Sequence, residues 1–93
     1  MAGKIDLTGK TVVITGASRG IGEAAARIFA RAGANIALLA RSREAIADLA
    51  GEIGEKALAI PCDVSRYWEV EAAMNATKEA FGSIDIVINN AGV

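Results

Sequence analysis

The hydrophobic and polar positions of this chain form two kinds of segment, short apolar runs and longer stretches with helical spacing. The apolar runs are continuous rather than alternating, which is typical of strands buried on both faces. We predict four strands, at residues 11–15, 35–40, 56–61 and 84–89. The intervening stretches predict three helices, each between consecutive strands.

Start and stop signals place the ends of the helices. The first helix is predicted from Ile21 to a stop at Gly33, and its apolar positions recur at helical spacing: Ile21, Ala25, Ile28, Phe29 and Ala32. Ser42 is the predicted cap of the second helix, and Ser65 that of the third, which Gly82 ends. The predicted buried stripe of the third helix is Val70, Ala73, Met74, Thr77 and Phe81.

The order βαβαβαβ, with short connections, favours an α/β fold with a parallel sheet covered by helices on both faces. Because crossovers between parallel strands are right-handed, we expect a doubly wound sheet with the strand order 3-2-1-4. No linker or repeat beyond the βα unit interrupts residues 1–93, so we expect them to belong to one domain.

Composition removes several classes of function. A net charge of −1 gives no electrostatic basis for binding nucleic acid or an anionic membrane. No apolar run is long enough to span a bilayer and the first residues lack a signal-peptide pattern, so we expect a cytoplasmic protein. The absence of histidine excludes His-based catalysis and metal sites, and no metal ligands are predicted. Cys62 has no partner for an internal disulfide and is interpreted as a packing residue.

Candidate chemistry begins where the first strand meets the first helix. Gly16, Gly20 and Gly22 lie at this junction, where free backbone N–H groups and the helix dipole attract a phosphate. Glycine allows the backbone to approach a pyrophosphate closely, and Ser18 adds a hydroxyl donor. The alternative is a tight turn that binds no ligand.

Three motifs together give a family resemblance. "TGASRGIG" at residues 15–22, Asp63-Val64 after the third strand and "NNAG" at residues 89–92 resemble the short-chain dehydrogenase/reductase family. The likeness extends from about Leu7 to Val93, and "LTGKTVVITGASRGIG" is most similar to the NADPH-using ketone and 3-oxoacyl reductases. The resemblance implies the N-terminal, dinucleotide-binding part of a Rossmann-type domain.

The resemblance also implies roles for single residues. The Asp63 carboxylate would accept from the exocyclic amine of adenine, and the Val64 N–H would donate to a ring nitrogen. The turn Asn90-Ala91-Gly92 would follow the ribose side of the cofactor, with Asn89 and Thr15 bracing neighbouring strands. An alternative role for Asp63 is to cap the third helix. The expected cofactor-binding residues are Gly16, Ser18, Arg19, Gly20, Ile21, Gly22, Arg41, Asp63, Val64, Asn90, Ala91 and Gly92.

The end of the second strand bears on the choice of dinucleotide. Sites that prefer NAD place a carboxylate there, whereas this chain has Ala40 followed by Arg41. An arginine can bind a 2′-phosphate with two parallel hydrogen bonds, and Arg19 can contact the same phosphate. We therefore expect NADP(H), with NAD(H) as the alternative if both arginines are ordinary surface charges. Arg43 is interpreted as a surface residue.

The family's catalytic pattern is not present in these 93 residues. The family uses a tyrosine with a lysine four residues on, together with a serine and an asparagine, whereas Tyr67 is followed four residues on by Glu71. No catalytic residue is assigned, and we expect this chain alone to be inactive. A carbonyl or alcohol substrate is expected only for the complete enzyme.

The fourth strand suggests a further property. At the end of the predicted order it would be an apolar edge with unpaired N–H and C=O groups, which favours pairing with another copy. We therefore expect a homo-oligomer that uses residues 84–90. The alternative function is a non-catalytic, self-associating fragment that binds a nucleotide.

Overall fold

Four parallel strands form one sheet in the order β3-β2-β1-β4, as the sequence predicts. The computed structural model describes residues 5–18 and 20–90. The strands are β1 (Thr11–Thr15), β2 (Asn35–Ala40), β3 (Ala57–Pro61) and β4 (Ile86–Ile88). The helices are α1 (Gly20–Arg31), α2 (Arg43–Ile53) and α3 (Tyr67–Phe81).

Helices cover both faces of the sheet. Each strand contributes to the core on both faces, because its successive residues point to opposite sides. On one face, Val12 and Ile14 pack with the buried residues of α1 and α2, including Ala26 and Ile46. On the other face, Val13 packs with a second cluster, Ala37, Leu39, Cys62 and Ala73. β1 and β2 are buried along almost their whole length, which explains their unbroken apolar sequences.

The predicted strand ends differ from the structure at the sheet edges. The third strand begins at Ala57 rather than Lys56, and the fourth contains only Ile86–Ile88 instead of residues 84–89. β4 pairs with β1 from Val12, which lies opposite Ile86, to Ile14, which lies opposite Ile88. The pairing covers Val12 to Ile14, although β1 itself extends from Thr11 to Thr15, and Thr11 N–H bonds to the Asp85 side chain instead.

Not all of the apolar positions that locate α1 in the sequence are buried. The helix begins at Gly20, and Ile21 and Ile28 are 75% and 60% exposed, respectively. Gly22 and Ala26 are buried instead. Small residues allow α1 to lie close to the sheet, and this close contact takes precedence over burial of the larger isoleucines.

The cap predicted for the third helix is also wrong. The N-cap of α3 is Arg66, which makes no side-chain capping hydrogen bond. Ser65 donates from both its N–H and its hydroxyl to Asp63 Oδ1, at 3.0 and 2.7 Å. Both residues lie before the N-cap position, and their side chains bond to each other in the preceding turn. Neither of them therefore caps α3. Ser42, by contrast, caps α2 as predicted, since its Oγ accepts from Ala45 N–H at 3.4 Å.

Asp85 joins the starts of β1 and β4. Its Oδ2 accepts from Thr11 N–H at 2.9 Å, and its own N–H donates to the Thr11 carbonyl at 2.9 Å. The Thr11 N–H bond, followed by the Ser83 hydroxyl bond and the charge of Lys10, lowers the pKa of Asp85. The carboxylate thus completes the pairing of a strand end that has no further ladder partner.

Thr11 gives a stability prediction. Its side chain is fully buried, and its Oγ1 has no hydrogen-bond partner among the described residues. Thr11→Val removes this hydroxyl with little change in shape, so we expect the free energy of unfolding to rise by about 1 kcal/mol. Chemical denaturation measures the change.

The matched control for this variant is Thr77→Val. Thr77 is equally buried, but its hydroxyl donates to the Ala73 carbonyl at 2.8 Å. Loss of that bond should make the Thr77 variant less stable than the Thr11 variant. Equal stabilities for the two variants, or a more stable Thr77 variant, would contradict the conclusion that Thr11 Oγ1 lacks a hydrogen bond.

Candidate functional site

The glycine turn joins β1 to the first residue of α1. Gly16 and Gly20 have φ values of +63° and +61°, which L side chains rarely adopt. Ala17 N–H donates to the Leu39 carbonyl at 3.2 Å, which fixes the turn against the end of β2. The first N–H groups of α1 have no intrahelical acceptors, so the turn presents donors at the positive end of the helix dipole.

Gly22 determines how tightly this turn closes. A Cβ at Gly22 would contact Gly16 O, and it would lie 2.9 Å from Gly16 C and 3.0 Å from Ala17 Cα. Real side chains do not tolerate such approaches to backbone atoms. The first turn of α1 therefore packs directly on the glycine turn, and only glycine fits at this position.

Two side chains border the turn. Ser18 is half-buried, and its hydroxyl has no hydrogen-bond partner within residues 5–18 and 20–90. Ile21 projects into solvent at the start of α1 and offers an apolar surface beside the turn. Arg19, which the sequence also assigns to this site, lies outside the described residues. The turn thus offers a free hydroxyl and backbone donors of the kind a phosphate requires.

The end of β4 is tied to the end of β1. Asn90 N–H donates to Thr15 Oγ1 at 2.8 Å, and Asn90 Nδ2 donates to the Gly16 carbonyl at 3.3 Å. The Thr15 hydroxyl also lies 3.1 Å from Asn89 Oδ1, which agrees with the bracing expected of Thr15 and Asn89. Asn90 therefore has a structural role, because it connects the end of β4 to the glycine turn. Ala91 and Gly92 lie outside the described residues.

Charged groups meet where β2 and β3 end. Arg41 follows β2 directly and is exposed, and Asp63 follows β3. Hydrogen bonds from the Ser65 hydroxyl and N–H, with smaller effects from the charges of Arg66 and Arg41, lower the pKa of Asp63. Asp63 is therefore ionised at neutral pH, and the positive charge of Arg41 is among the influences that favour this form.

Asp63 Oδ1 is already occupied by the two Ser65 donors, whereas Oδ2 lies 3.8 Å from Arg66 Nε. Oδ2 is thus the oxygen with remaining capacity to accept a hydrogen bond. The next residue, Val64, is half-buried, and no acceptor for its N–H is found among the described residues. An acceptor and a donor on adjacent residues match the amine and the ring nitrogen on one edge of adenine.

The three groups of residues lie at one edge of the sheet. The carboxyl ends of parallel strands meet there, and the chain moves to opposite sides of β1 when it forms β2 and β4. Such a switch point leaves a crevice above the strand ends. A dinucleotide fits these residues: donors at the glycine turn for phosphate, a cation after β2, and an acceptor–donor pair after β3.

Other candidate chemistry in the chain is limited. Cys62 is buried, and its burial, together with the charges of Glu69 and Asp63, raises its pKa and keeps the thiol protonated. Tyr67 is exposed at the first position of α3, in edge-to-face contact with Trp68. Among the described residues, no three His, Cys, Asp or Glu side chains gather as metal ligands. Nor does any helix within residues 5–18 and 20–90 have the length and apolarity to cross a membrane.

Sequence reasoning missed Glu69 and Asp85, whose carboxylates accept from the N–H groups of Asp63 and Thr11. The contacts join residues six and 74 positions apart. A glutamate in the first turn of a predicted helix was the only sequence signal for Glu69. Nothing in the local sequence marks Asp85.

Known proteins are similar to this chain in sequence and in fold. Residues 10–93 match the model of the short chain dehydrogenase family. Oxidoreductase UcpA of Salmonella typhimurium is 53% identical over 89 residues, which cover 94% of this chain and 34% of that protein. Ketoacyl reductase HetN of a Nostoc species is 41% identical over 90 residues, 94% of this chain and 31% of HetN. The chain thus spans about a third of the length of these relatives.

A solved structure gives the same result for the fold. The crystal structure of 3-ketoacyl-(acyl-carrier-protein) reductase from Brucella melitensis, complexed with NADH, superposes with a TM-score of 0.91 at 43% identity. The match covers 95% of this chain and 36% of that one. The glycine turn, the parallel sheet and these similarities lead to one conclusion: the chain belongs to the short-chain dehydrogenase family of oxidoreductases and has its dinucleotide-binding Rossmann fold.

Proposed function

We propose that this chain is the NADP(H)-binding portion of a short-chain dehydrogenase that transfers hydride between the nicotinamide and a carbonyl or alcohol. The observation that carries the proposal is the edge formed by the glycine turn, Arg41 and Asp63-Val64 at the ends of β1, β2 and β3. When bound, the cofactor supplies the hydride, and this chain's residues bind and orient its adenosine and phosphate end. In this proposal the protein is cytoplasmic.

The glycine turn binds the pyrophosphate through backbone N–H groups and the Ser18 hydroxyl. Gly16 and Gly20 provide the turn's conformation, and Gly22 provides its close packing. Ile21 supplies apolar surface next to the turn. Ala91 and Gly92, beyond the described residues, complete the ribose side with Asn90.

Arg41 selects the 2′-phosphate in this proposal. It follows a neutral residue, Ala40, at the end of β2, where a carboxylate would repel a phosphate. Its guanidinium is exposed and makes no salt bridge within 4.0 Å among the described residues, so it is available to a ligand. Arg19 is the second proposed cation at the same group. NAD(H) is the alternative cofactor, and the Brucella relative was crystallised with NADH.

These residues alone do not supply the proton transfer that carbonyl reduction requires. Tyr67 is the chain's one tyrosine, and Glu71 occupies the position where the family pattern has a lysine. We propose that the 93 residues bind the cofactor without turning over a carbonyl substrate. Calorimetric titration with NADPH should show saturable binding at one site per chain, and added ketone should cause no oxidation of NADPH. A lack of binding would contradict the first part of the proposal, and ketone-dependent oxidation would contradict the second.

A second candidate property is self-association through the edge of β4. Among the described residues the strand pairs with β1 alone, and Val87 is 51% exposed on it. We propose that residues 84–90 pair with the same segment of a second copy, which would satisfy the open edge in a closed dimer.

The dimer proposal predicts a dependence on Val87. Val87→Lys places a charge on the apolar edge and should convert the dimer to a monomer, because a lysine pair across a two-fold axis is repulsive. Sedimentation equilibrium of both proteins measures this. A wild-type protein that stays monomeric at all accessible concentrations would contradict it.

A further inference from the structure

We propose that Glu69 is a positioning residue for adenine recognition: it holds the backbone of Asp63 so that the Asp63 carboxylate and Val64 N–H face one edge of the base. This inference rests on the proposed function, since it concerns the same nucleotide site. It assigns Glu69 no contact with the cofactor. Its role is to fix the loop that makes the contact.

The first observation is an unusual hydrogen bond. Glu69 lies in the first turn of α3, and its Oε1 accepts from Asp63 N–H at 2.9 Å. A glutamate at this position of a helix commonly reaches back to the N-cap residue. Here the N-cap is Arg66, and Glu69 reaches three residues further back, to Asp63 in the loop between β3 and α3. The helix thereby anchors the loop rather than its own cap.

The second observation is that the other polar groups of Asp63 are also bonded within the loop. Its carbonyl accepts from Arg66 N–H at 3.0 Å, and its Oδ1 accepts from both Ser65 donors. Together with the Glu69 bond, these contacts fix the Asp63 backbone and one carboxylate oxygen. Oδ2 and the neighbouring Val64 N–H are the groups left to face a ligand.

The third observation is the placement of charge. Arg66 NH1 lies 3.3 Å from Glu69 Oε2, and Arg66 Nε lies 3.8 Å from Asp63 Oδ2. One guanidinium therefore lies between two carboxylates and offsets their repulsion. Without Glu69, Arg66 is free to move fully onto Asp63 Oδ2 and to compete with an adenine amine for that oxygen. Glu69 thus both fixes Asp63 and draws Arg66 away from it.

The test uses NADPH and its hypoxanthine analogue, in which a carbonyl replaces the adenine amine. Because an ionised carboxylate accepts from an amine and repels a carbonyl, the wild-type chain should bind NADPH about tenfold more tightly than the analogue. Glu69→Ala should reduce this preference to about twofold or less. Glu69→Gln keeps an oxygen that can accept from Asp63 N–H, so most of the preference should return.

Glu71→Ala is the matched control, because Glu71 lies exposed on the same helix and its side chain has no hydrogen bond or ion pair among the described residues. This control should keep the wild-type preference. All variants should keep the same ratio of NADPH to NADH affinity, since the 2′-phosphate end is untouched. Calorimetry measures the binding, and thermal unfolding shows that each variant is folded.

A second readout needs no ligand. Amide hydrogen exchange at Asp63 should be faster in Glu69→Ala than in wild type, and near wild type in Glu69→Gln, because only the alanine variant lacks an acceptor. A Glu69→Ala variant that keeps the tenfold preference would overturn the inference. NADPH binding without any preference in the wild type would overturn the inference alone. No NADPH binding at all would overturn the proposed function as well.

Discussion

Gly22→Ala is expected to destabilise the protein by about 2–3 kcal/mol, even though alanine is the better helix former. The added methyl group would meet the Gly16 carbonyl and lie 3.0 Å from Ala17 Cα. These are backbone atoms of a turn that is bonded to β2, so they cannot move aside as a flexible side chain would. The steric cost therefore exceeds the gain in helix propensity.

Gly51→Ala is the matched control for this variant. Gly51 lies in α2, its φ is not positive, and a Cβ there would meet no atom within 4 Å. Helix propensity alone should then decide the outcome, and the variant should gain about 0.5–1 kcal/mol. Denaturant unfolding of the two variants should give shifts of opposite sign. A Gly22 variant as stable as wild type would show that α1 does not pack on the glycine turn as described.

Arg41→Ala is expected to weaken NADPH binding by about 1.5–3 kcal/mol and to leave NADH binding nearly unchanged. The reason is that only NADPH carries the 2′-phosphate that the guanidinium would bind by charge-assisted hydrogen bonds. The effect should diminish at high salt, since Arg41 is exposed and its charge is screened. Calorimetric titration of both cofactors gives the two affinities.

Arg43→Ala is the matched control, because it removes the same charge two residues away, on the other side of the α2 cap. It should leave the ratio of NADPH to NADH affinity as it is in the wild type. If both arginine variants lower NADPH affinity equally, the effect is general electrostatic attraction, and the specific role of Arg41 is contradicted.

The strand order and the central strands could be predicted from the sequence. β1 and β2 have the predicted bounds because nearly every residue in them is buried, so a continuous apolar run marks most of each strand. The edge strands, β3 and β4, are shorter than predicted. Their ends depend on contacts with the neighbouring strand, and a local apolar run does not contain that information.

The packing of α1 and the start of α3 were beyond local reasoning for a different reason. Periodicity located α1, but the sheet and the glycine turn select its small residues, Gly22 and Ala26, over Ile21 and Ile28. Ser65 follows a sound capping rule, yet α3 begins one residue later, with Arg66 as its N-cap, and the Ser65 side chain bonds to Asp63 in the preceding turn. In both cases contacts with residues outside the helix decide the outcome.

The candidate site likewise contains residues that could be predicted from the sequence and residues that could not. Gly16, Gly20 and Gly22 could be assigned from sequence because positive φ and close backbone approach require one residue type. Glu69 could not, since its bond to Asp63 depends on the path of the chain between β3 and α3. Residues that hold other residues in place carry little local sequence signal.

The ratio of NADPH to NADH affinity for the unmodified chain, measured by calorimetry in one low-salt buffer, tests the proposed selection of NADP(H) most directly. We predict that NADPH binds at least about tenfold more tightly, because Arg41 follows β2 at the place where NAD-binding sites have a carboxylate that would repel the 2′-phosphate. Equal affinities, or tighter binding of NADH, would contradict the proposed selection of NADP(H).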